Sequence, residues 1–400
     1  MIAIKPKISI VLSNFNGGDL LKHTIQSVID QTFKDWELIF IDDCSTDHSR
    51  EIMGSFRDER IKVTYFKKNQ HMCYAFNYGI SVSGGKYIAR IDSDDTWLPD
   101  KLEKQYAFME GHHDYGACFT WVNVVDEYDN ILTESQSDRV DAFKAQNRDQ
   151  YGWIRFLYFN GPCLCHPTVL MRKDVLDEVG VYNYSLVQLQ DYDLWIRIVK
   201  KYPIYVITEK LANYRWFTTG ENASAYTNTV ITRSYFETAY VLSKYFDDLP
   251  DEVFIKAFGE DFVIKGSTDA RHLECEKMLL LIKPAYGGNV QRIGGMRKFM
   301  DLLECNETRE ILLREYGITQ KYFYELSGFP ILYNPYNFES GIIPPPVVLD
   351  ACVKPQPSEP GLDLDAIPRK VLLKKLVSRT FSKHKILYSA LRKIYRFIFN

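Results

Sequence analysis

The chain has 400 residues, 46% apolar and 25% charged, enough for two domains, or one domain with an extension, around a sizeable core. Eight scattered cysteines with no C-x-x-C pair argue against a zinc module and for reduced thiols rather than a disulfide framework. The formal charge of −3 conceals an asymmetry: Arg369 to Asn400 carries ten Lys or Arg and no Asp or Glu, leaving 39 basic against 52 acidic residues elsewhere. In chain order, Lys7 to Ser13 reads as a strand, and Asp19 to Gln31 has helical apolar spacing at Leu20, Leu21, Ile25, Val28 and Ile29. Trp36 to Ile41 is a second strand, closed by Asp42 and Asp43. Helix Ser49 to Phe56, strand Ile61 to Phe66, helix Cys73 to Val82 and strand Tyr87 to Ile91 continue the alternation that an α/β layer fold requires. From about Val230 to Phe329 the pattern turns helical, as in Met296 to Cys305 and Glu307 to Tyr316. Gly341 to Pro368, with Pro344-Pro345-Pro346, reads as an extended linker.

Each early strand ends in polar residues, and open parallel sheets place ligands beyond the carboxyl ends of their strands. Ser13 to Asn16, Asp42 to Ser45 and Asp92 to Asp95 are therefore expected to converge on one crevice. Asp92-Ser93-Asp94-Asp95 puts three carboxylates within four positions after an apolar strand, a donor set for a hard cation that also binds substrate phosphates. The competing reading is an acidic turn that caps the next helix. Asp42-Asp43-Cys44-Ser45-Thr46-Asp47 is a second acidic strand end, where one carboxylate suits a base N–H, although taken alone N-capping of the helix near Ser49 explains it better. Asp191 and Asp193 open a helix, whose dipole stabilises ionised carboxylates; a cap and a general base are both open. Cys163 and Cys165 read as small buried residues rather than metal ligands.

Taken together, these segments resemble glycosyltransferase family 2, of the non-processive type. Ile8 to Asn16 is similar to its first strand and nucleotide loop, and Gln31-Thr32-Phe33 to the end of its first helix. Asp42 to Asp47 matches D-D-x-S-x-D, and Asp92 to Asp95 with Leu98-Pro99-Asp100-Lys101-Leu102 matches D-x-D-D…P-(D/E)-(K/R)-L. His166-Pro167-Thr168, Arg172, Gly180, Asp191 to Arg197 and Tyr214-Arg215 extend the match over roughly residues 5 to 220. The resemblance implies a GT-A fold, Rossmann-like with a mostly parallel sheet flanked by helices, and inversion at the anomeric carbon. It implies a nucleotide diphosphate sugar donor, a UDP-sugar, bound by Ser13, Phe15, Asn16, Asp43, Asp92 and Ser93, with Mn²⁺ or Mg²⁺ on Asp94 and Asp191 as catalytic base. Asp95 would support the loop, and Arg215 and His166 are further candidates, although a histidine satisfied in a packed loop explains His166 about as well. Departures from the family pattern are Phe76, where relatives carry Arg before Asn77, Phe217 for a His, and Gln190 for a Glu.

The expected division is a catalytic domain over 1–225, a helical extension over 226–340, the linker over 341–368 and a basic amphipathic helix over 369–400. The last suits an anionic membrane surface; docking on the acidic body and nucleic-acid binding compete, and the expectation is no nucleic-acid partner. No signal-peptide pattern and no apolar run of about 18 residues occurs, so the expectation is a cytoplasmic protein, peripheral on the inner membrane face, with a glycan or lipid-linked acceptor in surface polysaccharide or glycolipid assembly. The rival functions are a nucleotidyltransferase, disfavoured by the absence of a glycine-rich, lysine-bearing loop, and a non-catalytic nucleotide-sugar scaffold.

Overall fold

The computed structural model describes residues 5–328 apart from 218, 219, 221 and 223–226. The expected linker and basic helix lie outside the described residues. The elements run β1 (Ile8–Asn14), α1 (Leu20–Ile29), β2 (Trp36–Asp42), α2 (Ser49–Ser55), β3 (Ile61–Tyr65), α3 (Met72–Val82), β4 (Tyr87–Asp92), β5 (Thr96–Trp97), α4 (Lys101–Gly111), β6 (Ala117–Val125), α5 (Arg139–Ala142), α6 (Gln150–Asn160), β7 (Leu170–Arg172), α7 (Lys173–Val179), α8 (Gln190–Val199) and β8 (Ile204–Arg215). Six further helices follow: α9 (Asn228–Ser243), α10 (Asp251–Phe258), α11 (Ala270–Ile282), α12 (Arg292–Glu304), α13 (Asn306–Arg314) and α14 (Gln320–Ser327). Among the described residues, no helix is long and apolar enough to cross a membrane.

The strands form one mixed sheet in the order β3-β2-β1-β4-β7-β6-β8-β5. β3, β2, β1 and β4 are parallel, as are β6 and β8, whereas β7 and β5 run against their neighbours. This is the α/β sheet of a GT-A fold. Strands buried on both faces read as nearly unbroken apolar runs, and side chains alternate between faces. Ile8, Ile10 and Leu12 of β1 point with Leu38 and Phe40 of β2 into a core shared with α1 and α4. Val11, Ile39, Ile41 and Ile88 point into the opposite core, against α3 and α8. The same alternation puts Arg90 of β4 on the Ile88 face. Register then aligns the strand ends, Ser13 opposite Asp92 and Asn14 opposite Asp42.

α9 and α10 share one of the sheet's cores. Val241, Leu242 and Tyr245 of α9 and its C-terminal turn, with Phe254 of α10, pack in the cluster that holds Trp153, Tyr158 and Trp195. The Tyr245 hydroxyl donates to the Ile154 carbonyl at 2.6 Å, and the Tyr158 hydroxyl to that of Leu280 at 2.8 Å. A separate cluster, including Met278, Phe299 and Leu312, holds α11 to α14 together.

Candidate active site

The nucleotide-side loops are held by side chains of their own strand ends. Asp42, fully buried, accepts from Asn14 Nδ2 at 3.2 Å, Ser45 N at 3.1 Å and Arg50 Nε at 2.7 Å. It is the turn-holding member of the pair. Asp43 follows it with Oδ1 accepting from Gln70 N at 2.7 Å, and lines the cavity beyond the sheet. Capping accounts for Asp47 alone: it accepts from Ser49 N, the first amide of α2, at 3.0 Å and from Gly18 N at 2.9 Å, while His48 at the N-cap position makes no side-chain cap bond. Asn16 accepts from Thr46 N at 2.8 Å and is absent from the cavity lining, whereas Ser13 and the exposed Phe15 belong to it. A Cβ on Gly17 would lie 2.3 Å from Asn14 Oδ1 and 3.2 Å from Ser93 Cβ, so only glycine lets the first loop approach the acidic turn this closely.

That turn does not cap α4: Asp100 stands at the N-cap position and makes no side-chain cap bond. Asp95 is buried, with Oδ1 accepting from Arg215 N at 2.7 Å and Oδ2 without a hydrogen-bond partner among the described residues. Burial and then the Asp94 and Asp92 charges push its carboxyl well above the usual range. Asp94 is half-buried, and burial followed by the Asp92 charge raises it to about 6. Arg215 Nε donates to the Asp94 carbonyl at 2.9 Å, and the same guanidinium binds the Asp126 carbonyl and the Asp129 carboxylate. It staples the turn from beneath. Ser93 lines the cavity, and its carbonyl accepts from Thr24 Oγ1 at 3.0 Å.

Arg90 organises the middle of the site, and the motif comparison did not single it out. At 2% exposure it donates to Asp92 Oδ1 from Nη2 at 2.8 Å and from Nε at 3.0 Å. Its guanidinium carbon sits 3.7 Å from the Phe76 ring centroid, a cation–π contact that helps offset burial of the charge. The position where relatives carry Arg thus offers an aromatic face to an arginine from the neighbouring strand. A cation inside an otherwise apolar strand was the available signal. Its Nη1 lies 2.6 Å from His166 Nε2. Arginine only donates, so Nε2 is the accepting nitrogen and the proton of the neutral ring is on Nδ1. Burial and then Arg90 hold His166 well below its ordinary value.

His166 Nδ1 faces Asp191 Oδ2 at 3.9 Å, and the Tyr182 hydroxyl lies 2.8 Å from Nε2. Asp191 does not cap α8, whose N-cap is Leu189; among the described residues its Oδ1 accepts from the adjacent Tyr192 N alone, at 2.7 Å. Burial lifts its carboxyl to about 6, a value suited to a base working near neutral pH. The loop before it is fixed from α9: buried Glu237 accepts from Val187 N at 2.9 Å and from Gln188 N and Leu189 N at 2.8 Å. No local sequence signal marks Glu237, because the contact joins segments 50 residues apart. One cavity of about 810 Å³ takes in Asp43, Asp92 to Asp95, His166, Asp191 and Arg215. Cys165 is buried and Cys163 half-buried, and no cluster of three or more His, Cys, Asp or Glu with metal-ligand placement occurs among the described residues.

Residues 9–180 match the profile of glycosyl transferase family 2. An uncharacterised glycosyltransferase of Methanocaldococcus jannaschii is 32% identical over 216 residues, 53% of this chain and 71% of that one. A UDP-Glc:α-D-GlcNAc-diphosphoundecaprenol β-1,3-glucosyltransferase of Escherichia coli is 31% identical over 196 residues, 48% of this chain and 70% of its own. In fold, the chain is similar to residues 1–349 of S. aureus TarS in complex with UDP-GlcNAc, at TM-score 0.51 and 16% identity over 80% of this chain and 90% of that one. With its strand ends, acidic turn and buried carboxylate gathered round one cavity, the chain belongs to glycosyltransferase family 2 and is a glycosyltransferase.

Proposed function

We propose that the protein inverts a sugar from a nucleotide diphosphate donor, a UDP-sugar, onto an acceptor hydroxyl, in surface polysaccharide or glycolipid assembly. The observation that carries this is a carboxylate, Asp191, raised to about 6 and opening on the same cavity as the acidic turn. Asp43 faces the base, Ser13 and Phe15 flank the nucleotide, and Asp92 with Ser93 takes the ribose side. Asn16 acts through the loop it ties to Thr46. The activity of the E. coli relative supports a UDP-sugar and a lipid-diphosphate-linked glycan.

The acidic turn suits a divalent cation. Asp94 and Asp95 are both pushed up by burial and by neighbouring carboxylates, and Asp95 Oδ2 has no donor among the described residues, so added positive charge there relieves a penalty. Asp94, with Asp92 beside it, would hold Mn²⁺ or Mg²⁺. When bound, the ion offsets charge on the departing diphosphate. Asp191 removes the acceptor proton as the acceptor oxygen bonds to the anomeric carbon and the bond from that carbon to the diphosphate oxygen breaks. The proton ends on Asp191 and the electron pair on the leaving nucleoside diphosphate. Neutral His166, fixed by Arg90, turns its Nδ1–H toward Asp191 at 3.9 Å and does not compete for the proton.

The test is nucleoside diphosphate release from a panel of nucleotide sugars, with Mn²⁺ or Mg²⁺ and after chelation by EDTA. Release that EDTA abolishes and either ion restores is expected. Donor binding without release from any member would make the protein a scaffold.

A further inference from the structure

The cavity is divided by charge. Its nucleotide side carries Asp43, Arg90, Arg215 and the acidic turn. Beyond Asp191 the walls change: α9 contributes Ile231, Ser234, Tyr235 and Thr238, with Tyr286 beside them, and the facing segments are Pro162 to Leu164 and Val187 to Gln190. None of the described lining residues in that half is charged. α9 and Tyr286 lie outside the 9–180 segment that matches the family, so the family does not assign them.

Two details make this neutrality structural. Three successive amides ahead of a helix, those of residues 187 to 189, are a ready anion site, but the Glu237 carboxylate already takes all three at 2.8–2.9 Å. A uronate carboxylate finds these three amides taken and meets a buried negative charge behind them. The aromatic wall is also built in. Gly161, at φ +79°, leaves its Cα face open to the Tyr286 ring, and a Cβ there would lie 2.2 Å from Cδ2. Tyr286 packs edge-on to Tyr192, the residue after the base, with centroids 5.7 Å apart. Beside the cavity, buried Gln190 Oε1 has no hydrogen-bond donor among the described residues, a deficit that a ligand hydroxyl fills.

We propose that α9 and Tyr286 form the acceptor subsite and that it takes an uncharged pyranose ring, packed on Tyr286 and hydrogen-bonded by Ser234, Tyr235 and Gln190, with its reacting hydroxyl toward Asp191. This rests on Asp191 as base and on a nucleotide-sugar donor. An apolar ring face with hydroxyls round its rim matches an aromatic wall bearing hydroxyls, whereas a ring carboxylate would be desolvated without a partner.

Calorimetry with UDP and GDP comes first, on the full-length protein. The UDP-loaded protein is then titrated with methyl β-D-glucopyranoside, methyl N-acetyl-β-D-glucosaminide and methyl β-D-glucuronide, followed by saturation-transfer NMR. At least one neutral pyranoside should bind, and the glucuronide about tenfold more weakly or worse. Tyr286→Ala should weaken the neutral sugar by about tenfold with UDP affinity within about twofold. Ser234→Lys, on the half-exposed face of α9, should shift preference toward the glucuronide. No binding of a neutral pyranoside, glucuronide binding of equal strength, or unchanged sugar affinity in both variants would overturn the assignment. Failure of UDP and GDP to bind would instead sink the donor assignment, and the same sugar titration is then run on nucleotide-free protein.

Discussion

At the scale of single residues, Asp191 costs stability wherever it is ionised. Its folded carboxyl titrates at about 6 against an ordinary 3.8, so ionisation in the fold is disfavoured, and stability is lost as pH rises from the unfolded value through the folded one. The shift corresponds to roughly 3 kcal/mol at pH 8. Asp191→Asn keeps an oxygen for Tyr192 N and removes the charge, so its Tm should exceed the wild type's by a few degrees at pH 8 and match it near pH 3.5. Nucleotide release should fall about 10²–10⁴-fold in the same variant, with nucleotide affinity unchanged by calorimetry. In the wild type the rate should drop as pH falls through about 6, where Asp191 takes up its proton; a flat profile between pH 5 and 8 would remove it as the base. At this scale the sequence was informative but ambiguous. A run such as Asp42-Asp43 does not say which carboxylate turns inward, and it is Arg50 and Ser45, brought beside Asp42 by the turn, that leave Asp43 to the cavity.

Among elements, the expected strands and helices of the first ninety residues stand within one or two positions of their observed ends. Apolar runs in buried strands and 3.6-residue spacing in helices are local signals, and β1, β2, β4 and α1 carry them plainly. The contribution of α9 was not legible in that way. Its helical pattern was clear, but the partner of Glu237 is a loop, 187 to 189, that has no periodicity to read. Glu237→Ala strands three amides, and at about 1–3 kcal/mol for a buried group left unsatisfied a loss of at least ~3 kcal/mol is expected from urea unfolding. Glu237→Gln, which keeps one accepting oxygen, should lose less. Amide exchange at Val187, Gln188 and Leu189 should rise in the same order, and unchanged exchange in the alanine variant would discard the pin.

For the whole molecule, the basic segment over 369–400 remains a proposal made from composition, since it lies outside the described residues. Its ten Lys or Arg without an acidic neighbour, at about 1 kcal/mol each near an anionic surface, predict flotation with phosphatidylserine vesicles. A chain ending at Pro368 should stay with the unbound fraction, and equal flotation of both would discard membrane recruitment. By itself, the sequence determined the layer class, the family and the three strand-end motifs, because those depend on short-range patterning and on residue types that must sit at a strand's carboxyl end. Only the tertiary structure decided that α9 shares the core of the sheet, that Arg90 lies on Phe76 and ties Asp92 to His166, and that a neutral wall stands beyond Asp191. Each of these joins residues far apart in the chain through burial and hydrogen bonding, and local patterning carries no record of which distant partner a buried charge will meet.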